Sequence, residues 1–231
     1  MSGFLRILDV AERPPSALVR QFAALATPHL SDSMQRLYAA GPRIRPMHRE
    51  GKLAGVAFTV RTAPGDNLLV HKALDMAHPG DVIVIDAGGA LENAIVGQLM
   101  CTHARKRGLA GVVVWGAIRD YAEIAADGFP VFAAGVTNRG PFRNGPGETN
   151  VPVIMGATPV SPGDIVVGDC DGLVAIPQGA AERVLEAAKD VAAKEAISIK
   201  KFRDGSADRS WVDKALREKG YQIPPGREQD S

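Results

Sequence analysis

Two charged residues in succession, Arg119 and Asp120, have side chains that can bind an organic acid and a metal ion. A guanidinium group can hold a carboxylate through two parallel hydrogen bonds. A carboxylate can bind a hard cation such as Mg2+, which keeps several waters and takes few ligands from the protein. The pair therefore predicts an acid-binding site in which Arg119 contacts the substrate and Asp120 holds the metal.

The segment that begins at Gly97 offers a second means of binding an acid. A helix starting there would direct three main-chain amides at a ligand carboxylate, because the first amides of a helix have no acceptor within it. These amides belong to Gln98, Leu99 and Met100. The alternative is that Arg119 and Asp120 form an ion pair on the surface and that Gly97 only provides room for packing. The spacing of the residues leaves both interpretations open.

A strand–helix–strand unit is predicted to position these residues. Two short apolar runs rich in β-branched residues, 82–85 and 111–114, flank a helical segment that ends at Gly108. Such runs are typical of buried strands. Strands joined by a helix run parallel, so the loops that follow them open at the same edge of the sheet. Ligands of parallel sheets bind at that carboxyl edge, where Arg119 and Asp120 are expected.

The remaining patterns predict a layered α/β domain. Helices are predicted after Ser16, from Ser31 to Gly41, over residues 121–127 and 180–203, and within 205–220, where Trp211 and Leu216 anchor a short helix. Strands are predicted at 54–62, 67–70, 129–133, 151–155, 165–168 and 173–176. The loop between them at 137–150 is long enough to be functional. Helices alternate with strands early and strands follow strands late, which favours layers over a regular doubly wound sheet.

Glu195 is a third candidate for chemistry. It falls on the apolar stripe of the helix predicted for 180–203, together with Val184, Leu185 and Ile199. A carboxylate on an apolar face needs a partner or water, because its burial alone is costly. Either Glu195 meets a partner there, or the stripe drifts around the helix and Glu195 is solvated.

Composition excludes several other classes of protein. The chain has 231 residues, 45% of them hydrophobic, and a net charge of +1, so neither a nucleic-acid nor a membrane partner is expected. Its two cysteines, no signal peptide and no apolar run of membrane length favour a cytoplasmic protein. The sequence contains no HExxH, GxSxG, GxGxxG or Walker motif and no paired CxxC, which argues against a zinc hydrolase or a nucleotide site.

The site segment also resembles a known family. The run GG-x-L-x-x-A-x-x-G-x-L-M at 88–100, followed by GVVVWGAIRD at 111–120, is similar to the RraA-like family. That family includes the class II 4-hydroxy-4-methyl-2-oxoglutarate/4-carboxy-4-hydroxy-2-oxoadipate (HMG/CHA) aldolases and the protein regulator of ribonuclease E activity. The similarity extends from about Ser31 through PGDNL at 64–68, RGP at 139–141, NVPV at 150–153 and PGDIVVGDCDGLVAIP at 162–177.

This resemblance implies a layered β/β/α sandwich of the swivelling-domain type over residues 1–177, including the N-terminal helices. It also implies that the C-terminal helical extension, 178–222, contacts a neighbouring subunit; the composition of residues 223–231 itself predicts a disordered tail. The assembly would be a homotrimer or homohexamer with sites between subunits. Resemblance to the aldolases implies an enzyme that cleaves a carbon–carbon bond of a small 2-oxo acid, by aldol cleavage or by decarboxylation of oxaloacetate, through a pyruvate enolate.

The resemblance also assigns roles to single residues. Asp120 would hold Mg2+ or Mn2+ mostly through waters, and Arg119 would bind the pyruvyl carboxylate and steady the enolate. The amides of Leu99 and Met100 would complete the carboxylate pocket next to Gly97. The aldolases carry an aspartate, twenty residues and then Arg-Asp, whereas the first position here is Gln98, which cannot carry a proton as a carboxylate does. Glu195 matches a glutamate that the neighbouring subunit supplies for proton transfer.

Two other functions stay open. One is a regulator without catalysis, which binds a protein partner such as ribonuclease E. The other is an enzyme that uses the same pocket for another substrate, which Gln98 would suit, as would Trp115, a position where relatives commonly carry aspartate. The C-terminal extension with Glu195 favours the lyase, because the regulators are compact and generally lack it.

Overall fold

The computed structural model describes residues 5–10 and 12–224 of the chain. Its helices are α1 (Ser16–Phe22), α2 (Thr27–Ser33), α3 (Leu68–Met76), α4 (Gln98–Lys106), α5 (Tyr121–Asp127), α6 (Ala181–Arg203) and α7 (Ser210–Glu218), with a 3-10 turn at Gln178–Ala180. Its strands are β1 (Arg45–Pro46), β2 (Leu53–Thr62), β3 (Asp81–Asp86), β4 (Ala94–Val96), β5 (Gly111–Ile118), β6 (Val131–Val136), β7 (Gly147–Thr149), β8 (Val153–Met155), β9 (Thr158–Val160), β10 (Ile165–Asp169) and β11 (Gly172–Ile176).

Nine of these strands form one sheet in the order β1-β6-β5-β3-β2-β10-β11, with β4 beside β5 and β7 beside β2. The central strands β2, β3, β5 and β6 run parallel, whereas β1, β10 and β11 pair antiparallel with their neighbours. Strands β8 and β9 form a separate hairpin. The parallel pairing of β3 with β5 confirms the predicted strand–helix–strand unit.

The central strands are buried on both faces and separate two layers of core. Along β3, Ile83 and Ile85 join a cluster with residues of α3 and α4, whereas Val82 and Val84 join residues of the β8–β9 hairpin. Side chains alternate between the faces of a strand, so both faces must be apolar when both are covered. This explains why the strand appears in the sequence as one continuous apolar run.

A third cluster covers the antiparallel end of the sheet. Helices α1 and α2 and the first part of α6 pack there against β10 and β11. The buried side chains include Val19, Phe22, Leu30, Ile165, Val174, Ile176, Val184 and Leu185. A sheet with helices on one face and a hairpin on the other, followed by C-terminal helices, confirms the predicted layered α/β fold.

The strand predicted at 67–70 is wrong, because this segment begins α3. The carboxylate of the buried Asp66 accepts a hydrogen bond from the Leu68 amide at 2.9 Å, and the His71 amide donates to the Asn67 carbonyl at 3.2 Å. The apolar positions then continue with helical spacing to Leu74, which is buried. Four residues were too short a window to distinguish the two periods.

The second helix begins at Thr27 rather than at Ser31, so the predicted cap is wrong. Asp169 accepts hydrogen bonds from the Thr27 amide at 2.8 Å and from its hydroxyl at 2.6 Å, which fixes the chain there. The helix ends at Ser33, because Gln35 and Arg36 have positive φ angles of 57° and 64°. Ser31 therefore lies inside the helix.

The chain divides into two compact units, Met1–Val191 and Ala192–Ser231, and the division falls within α6. In the second unit Trp211 is 65% exposed, so it does not anchor α7 as predicted. Residues 225–231 of the expected disordered tail lie outside the described residues. Within the described part of the chain, no helix has the length and apolar character that crossing a membrane requires.

A candidate active site at the carboxyl edge of the sheet

A cavity of about 80 Å3 opens where β4 and β5 end. About 10–15 Å3 of such space suffices for one water, so this cavity admits a small ligand. The cavity is lined by the predicted residues Gly97, Leu99, Met100, Arg119 and Asp120. It is also lined by Asn67, His71 and Arg143, for which no sequence pattern predicted a role. The cavity therefore joins most of the predicted site with a second group of polar residues.

The backbone at the end of β5 fixes the charged pair. The Arg119 amide donates to the carbonyl of Val96 at 3.0 Å, which ties the end of β5 to the end of β4. Asp120 follows with φ 56° and ψ 41°, in the left-handed region that few residues other than glycine adopt, and then begins α5. Aspartate tolerates this conformation better than most residues. The turn holds both side chains beside the cavity.

Both described contacts of the Asp120 carboxylate go to the same oxygen. Its Oδ2 accepts a hydrogen bond from the Gln98 amide at 3.0 Å and lies 3.7 Å from Nε of Arg119. The side chains of Arg119 and Asp120 are 42% and 38% exposed, so solvent and ligands reach them. Arg119 and Asp120 therefore do contact each other, but at the mouth of a cavity and not on a flat surface.

Gly97 provides the space in which this contact forms. A Cβ at this position would lie 2.6 Å from Oδ2 of Asp120 and 3.2 Å from Nε of Arg119. Its φ of −138° is ordinary extended backbone, so the requirement for glycine is one of space and not of conformation. Any side chain here would push the charged pair out of place.

The predicted functional loop covers one side of the cavity with Arg143. The buried carboxylate of Asp66 accepts hydrogen bonds from the main-chain amides of Asn144 and Gly145. The side-chain Nδ2 of Asn93 donates to the carbonyl of Gly140. These contacts come from segments that precede the loop by many residues. The loop is thus held in place by buried polar groups, although β7 occupies its last part.

Asn67 and His71 line the cavity from α3. Asn67 is 2% exposed, and its Nδ2 donates to the carbonyl of Ile95 at 3.0 Å, while its Oδ1 has no hydrogen-bond partner within the described residues. The pKa of His71 is lowered from its ordinary value, first by burial and then by the charge of Arg143. A buried acceptor and a neutral imidazole therefore face the same small space.

The main-chain amides predicted to bind the substrate are not equally available to a ligand, and the side chain of Gln98 lies outside the cavity lining. The Gln98 amide donates to Asp120 and the Met100 amide donates to the carbonyl of Gly97 at 3.1 Å, so both are engaged within the protein and are not open to a carboxylate. The side chain of Gln98 is exposed and does not line the cavity. Leu99 lines the cavity with its side chain 82% exposed. Glu195 is an exposed residue of the second compact unit.

Asp120 is the residue of this cavity that could hold a divalent cation. A group of three possible ligands lies elsewhere, at Asp169, Cys170 and Asp171, whose ligand atoms are within 4.8 Å of one another. Both oxygens of Asp169 already accept hydrogen bonds, from Thr27 and from the Asp171 amide. A carboxylate that is occupied by protein donors suits a structural role, whereas the half-exposed Asp120 suits a hydrated cation.

Comparison with known proteins identifies the family of this chain. The family model of the RraA-like proteins, described as Aldolase/RraA, matches residues 27–175. A protein of Halalkalibacterium halodurans, provisionally named 4-hydroxy-4-methyl-2-oxoglutarate aldolase, is 40% identical over 199 residues, which cover 86% of this chain and 95% of the relative.

Solved structures show the same fold. The crystal structure of an uncharacterized protein from Pseudomonas syringae pv. tomato is 25% identical with a TM-score of 0.76, and covers 85% of this chain and 92% of its own. The RNA-processing inhibitor RraA from Thermus thermophilus is 33% identical with a TM-score of 0.61, over 66% of this chain and 92% of that one. The matched residues 27–175 contain the whole cavity lining, and the chain belongs to the RraA-like family.

Proposed function

We propose that this protein is a divalent-metal-dependent lyase that cleaves a carbon–carbon bond of a 2-oxo acid and releases pyruvate. The main support is the meeting of Arg119 and Asp120 at one small cavity, with Gly97 leaving room for them. The name of the relative from H. halodurans supports an aldolase-type reaction. The cavity admits a small acid, which fits a substrate of this class.

Arg119 would bind the carboxylate and the oxo oxygen of the substrate. Cleavage of a bond next to a carbonyl leaves an enolate, with negative charge on the former oxo oxygen. A guanidinium held at that oxygen stabilises the charge as it develops, and it does so without rearranging. The Leu99 amide remains the candidate main-chain donor to the substrate carboxylate, because the amides of Gln98 and Met100 bind Asp120 and Gly97.

Asp120 would hold the cation, Mg2+ or Mn2+. Its two protein contacts use Oδ2, so Oδ1 is available, and a hard cation with one protein carboxylate keeps waters at its other positions. When bound, such a cation supplies positive charge beside the oxo group of the substrate. The contact between the Gln98 amide and Oδ2 keeps the carboxylate in one orientation.

Two lyase reactions fit this arrangement, and Gln98 bears on the choice between them. Aldol cleavage needs a base for the hydroxyl proton, whereas decarboxylation of oxaloacetate releases CO2 without one. An amide cannot serve as that base. We expect the variant Gln98→Asp to gain aldol cleavage more than decarboxylation, measured as the ratio of the two rates. An unchanged ratio would mean that the missing carboxylate does not limit aldol cleavage.

A neighbouring subunit would complete the site. Leu99, Tyr121, Val136 and Phe142 expose between 50% and 82% of their surface close to the cavity in sequence and in fold. Exposed apolar residues that gather beside a binding cavity can mark an interface. We propose a homotrimer or homohexamer in which residues 178–222 of one subunit reach the next and bring Glu195 to its cavity. Light scattering on the purified protein, with Leu99→Asp as the disrupting variant, measures this directly.

The test of the proposal is release of pyruvate. The purified protein with Mg2+ or Mn2+ is incubated with oxaloacetate, 4-hydroxy-4-methyl-2-oxoglutarate or 4-carboxy-4-hydroxy-2-oxoadipate, and pyruvate is followed by reduction with lactate dehydrogenase. Metal without protein is the blank, since free cations also decarboxylate oxaloacetate. Turnover that disappears with chelator and returns with added metal is the expected result. Pyruvate at the blank rate from all three substrates would overturn the proposal.

A binding role without catalysis is the second candidate, because the fold matches the RNA-processing inhibitor RraA over 66% of the chain. This role makes no use of the charged pair in the cavity. A variant with both Arg119→Ala and Asp120→Asn separates the two functions. It would lose pyruvate release if the protein is a lyase, and would keep the binding of a protein partner such as ribonuclease E if it is a regulator.

A further inference from the structure

The cavity holds few groups that can carry a proton near neutral pH. Its lining includes two guanidinium groups, those of Arg119 and Arg143, which donate hydrogen bonds and have no acceptor atom. The side-chain amide of Asn67 cannot act as a base either. Among the described lining residues, Asp120 and His71 are then the two that can exchange a proton. Asp120 accepts a hydrogen bond from the Gln98 amide and is the candidate ligand of the cation. His71 has neither of these roles.

The first turns of α3 hold His71 at the cavity. Asn67 immediately precedes the helix, and its side chain and that of His71 both line the cavity. The buried Nδ2 of Asn67 donates to the carbonyl of Ile95 in β4, which fixes this end of α3 against the strand that leads to Gly97. In a cavity of about 80 Å3, one small ligand can contact groups on every wall. A ligand held by Arg119 is therefore close to His71.

Burial and the surrounding charges together lower the pKa of His71, which favours the neutral imidazole. Burial lowers the pKa of His71 most, and the positive charge of Arg143 on the loop lowers it further. Asp75 on α3 raises it and His103 on α4 lowers it, and these two face each other at 3.6 Å. Arg119 and Asp120 are the other charged residues of the described lining. A neutral imidazole can accept a proton, as a base must.

We propose that His71 is the catalytic base and acid of this cavity, which rests on the lyase function proposed above. In aldol cleavage it takes the proton of the substrate hydroxyl, the carbon–carbon bond breaks, and its electron pair moves onto the oxo group to form the enolate. The imidazolium then returns that proton to the enolate carbon, which becomes the methyl group of pyruvate. The proton balance is closed without the side chain of Gln98, so Gln98→Asp would add a second base to the one that His71 provides.

Replacement of His71 by Gln tests the assignment. Glutamine retains hydrogen-bonding groups but cannot carry a proton. The matched control is His103→Gln, a histidine on the neighbouring helix α4 that is outside the described lining and half-exposed. Three quantities are measured with Mg2+ present: pyruvate release, exchange of the pyruvate methyl protons with deuterated solvent by NMR, and pyruvate binding by calorimetry.

The expected result is a loss of about 10²-fold or more in pyruvate release and methyl exchange for His71→Gln, with pyruvate binding within twofold of wild type. His103→Gln should keep all three. Methyl exchange at the wild-type rate in His71→Gln would overturn the assignment, and so would a loss that merely follows weaker pyruvate binding. If the wild-type protein releases no pyruvate at all, the lyase function itself fails and the assignment fails with it.

A second variant makes the assignment testable without changing His71. Activity needs the neutral imidazole, so it should be present at neutral pH and be lost as pH falls through the lowered pKa of His71. Arg143→Gln removes a charge that lowers this pKa. The acid limb of methyl exchange, measured at saturating pyruvate, should therefore move to higher pH. If the acid limb of the pH profile does not move in Arg143→Gln, or if His71→Gln shows the same limb, a group other than His71 is titrating.

Discussion

Asp120 lies just after strand β5 and Asp169 is the last residue of β10, and each accepts a main-chain hydrogen bond, but they differ in which carboxylate oxygens remain available. Asp169 is 7% exposed, and both of its oxygens are occupied by donors from Thr27 and Asp171. The side chain of Asp120 is 38% exposed and accepts one hydrogen bond, from the Gln98 amide. It lies beside the guanidinium of Arg119 and lines the cavity. The same residue type thus anchors a helix in one place and faces a ligand site in the other.

The difference shows how a functional carboxylate can be identified from its partners. A buried carboxylate whose lone pairs are used by the protein stabilises the fold, and breaking it leaves donors unpaired. A carboxylate whose protein contacts leave an oxygen free can bind a cation or a substrate. The group of Asp169, Cys170 and Asp171 has more possible metal ligands than the cavity of Asp120. Both oxygens of the Asp169 carboxylate, however, already accept hydrogen bonds from the protein.

The largest expected effect comes from the arginine beside Asp120. Arg119→Ala removes the charge that would bind the substrate carboxylate and stabilise the enolate, and turnover should fall about 10²–10³-fold. Arg36→Ala is the control, because Arg36 forms an exposed pair with Asp32 on the surface. Rates of pyruvate release from both variants check this. A near-normal rate in Arg119→Ala would remove the cavity from the proposed reaction.

Paired substitutions test the comparison itself. Asp120→Asn should lower turnover about 10²-fold and abolish Mg2+-dependent activity, with little change in unfolding, since asparagine also tolerates a positive φ. Asp169→Asn should keep turnover but lower the free energy of unfolding by about 1–3 kcal/mol, because the buried donors of Thr27 lose a charged acceptor. Denaturant titration and activity assays on both variants measure this. The comparison fails if the two variants behave alike.

The variant Gly97→Ala tests how strongly activity depends on the position of the Asp120 carboxylate. The added Cβ would lie 2.6 Å from Oδ2 of Asp120, so the carboxylate has to move. A displacement of about 1 Å can cost up to about 100-fold in rate, and we expect a loss of tenfold to 100-fold. Gly179→Ala is the control, since a Cβ there has nothing within 4 Å. Full activity in Gly97→Ala would show that the pair tolerates the shift.

The sequence predicts the Asp120 region well because its determinants are local. Strand, helix and strand follow one another along 81–118, so the pattern of each element and the rule for parallel strands suffice to put Arg119 and Asp120 at the carboxyl edge. Gly97 at the start of α4 is predicted for the same reason. The strand β4 is not predicted, because its three residues give no pattern of their own and form a strand only beside β5.

The opposite wall of the cavity depends on contacts between distant segments. The segment at 67–70 favours a strand when taken alone, whereas in the structure it begins α3, where the Asp66 carboxylate accepts the Leu68 amide and His71 lines the cavity. Arg143 reaches the cavity on a loop that Asp66 and Asn93 hold. The motif at 64–68 was a signal that this segment mattered, but a pattern in sequence does not show which side chains it positions.

Labelling of the two cysteines probes the regions of Asp169 and Asp120 separately, and it is the change for which we expect the smallest effect on activity. Cys170 adjoins Asp169 and is exposed, so a thiol reagent at pH 8 should label it at once. Cys101 lies on α4 and is 3% exposed, and its pKa is raised to about 12, first by burial and then by the charges of Asp127 and Asp120. Almost none of it is thiolate at pH 8, so it should react only after unfolding. One fast thiol per chain, absent in Cys170→Ser, and unchanged pyruvate release after labelling are the expected results. Loss of activity on labelling Cys170 would mean that the Asp169 region takes part in the reaction after all.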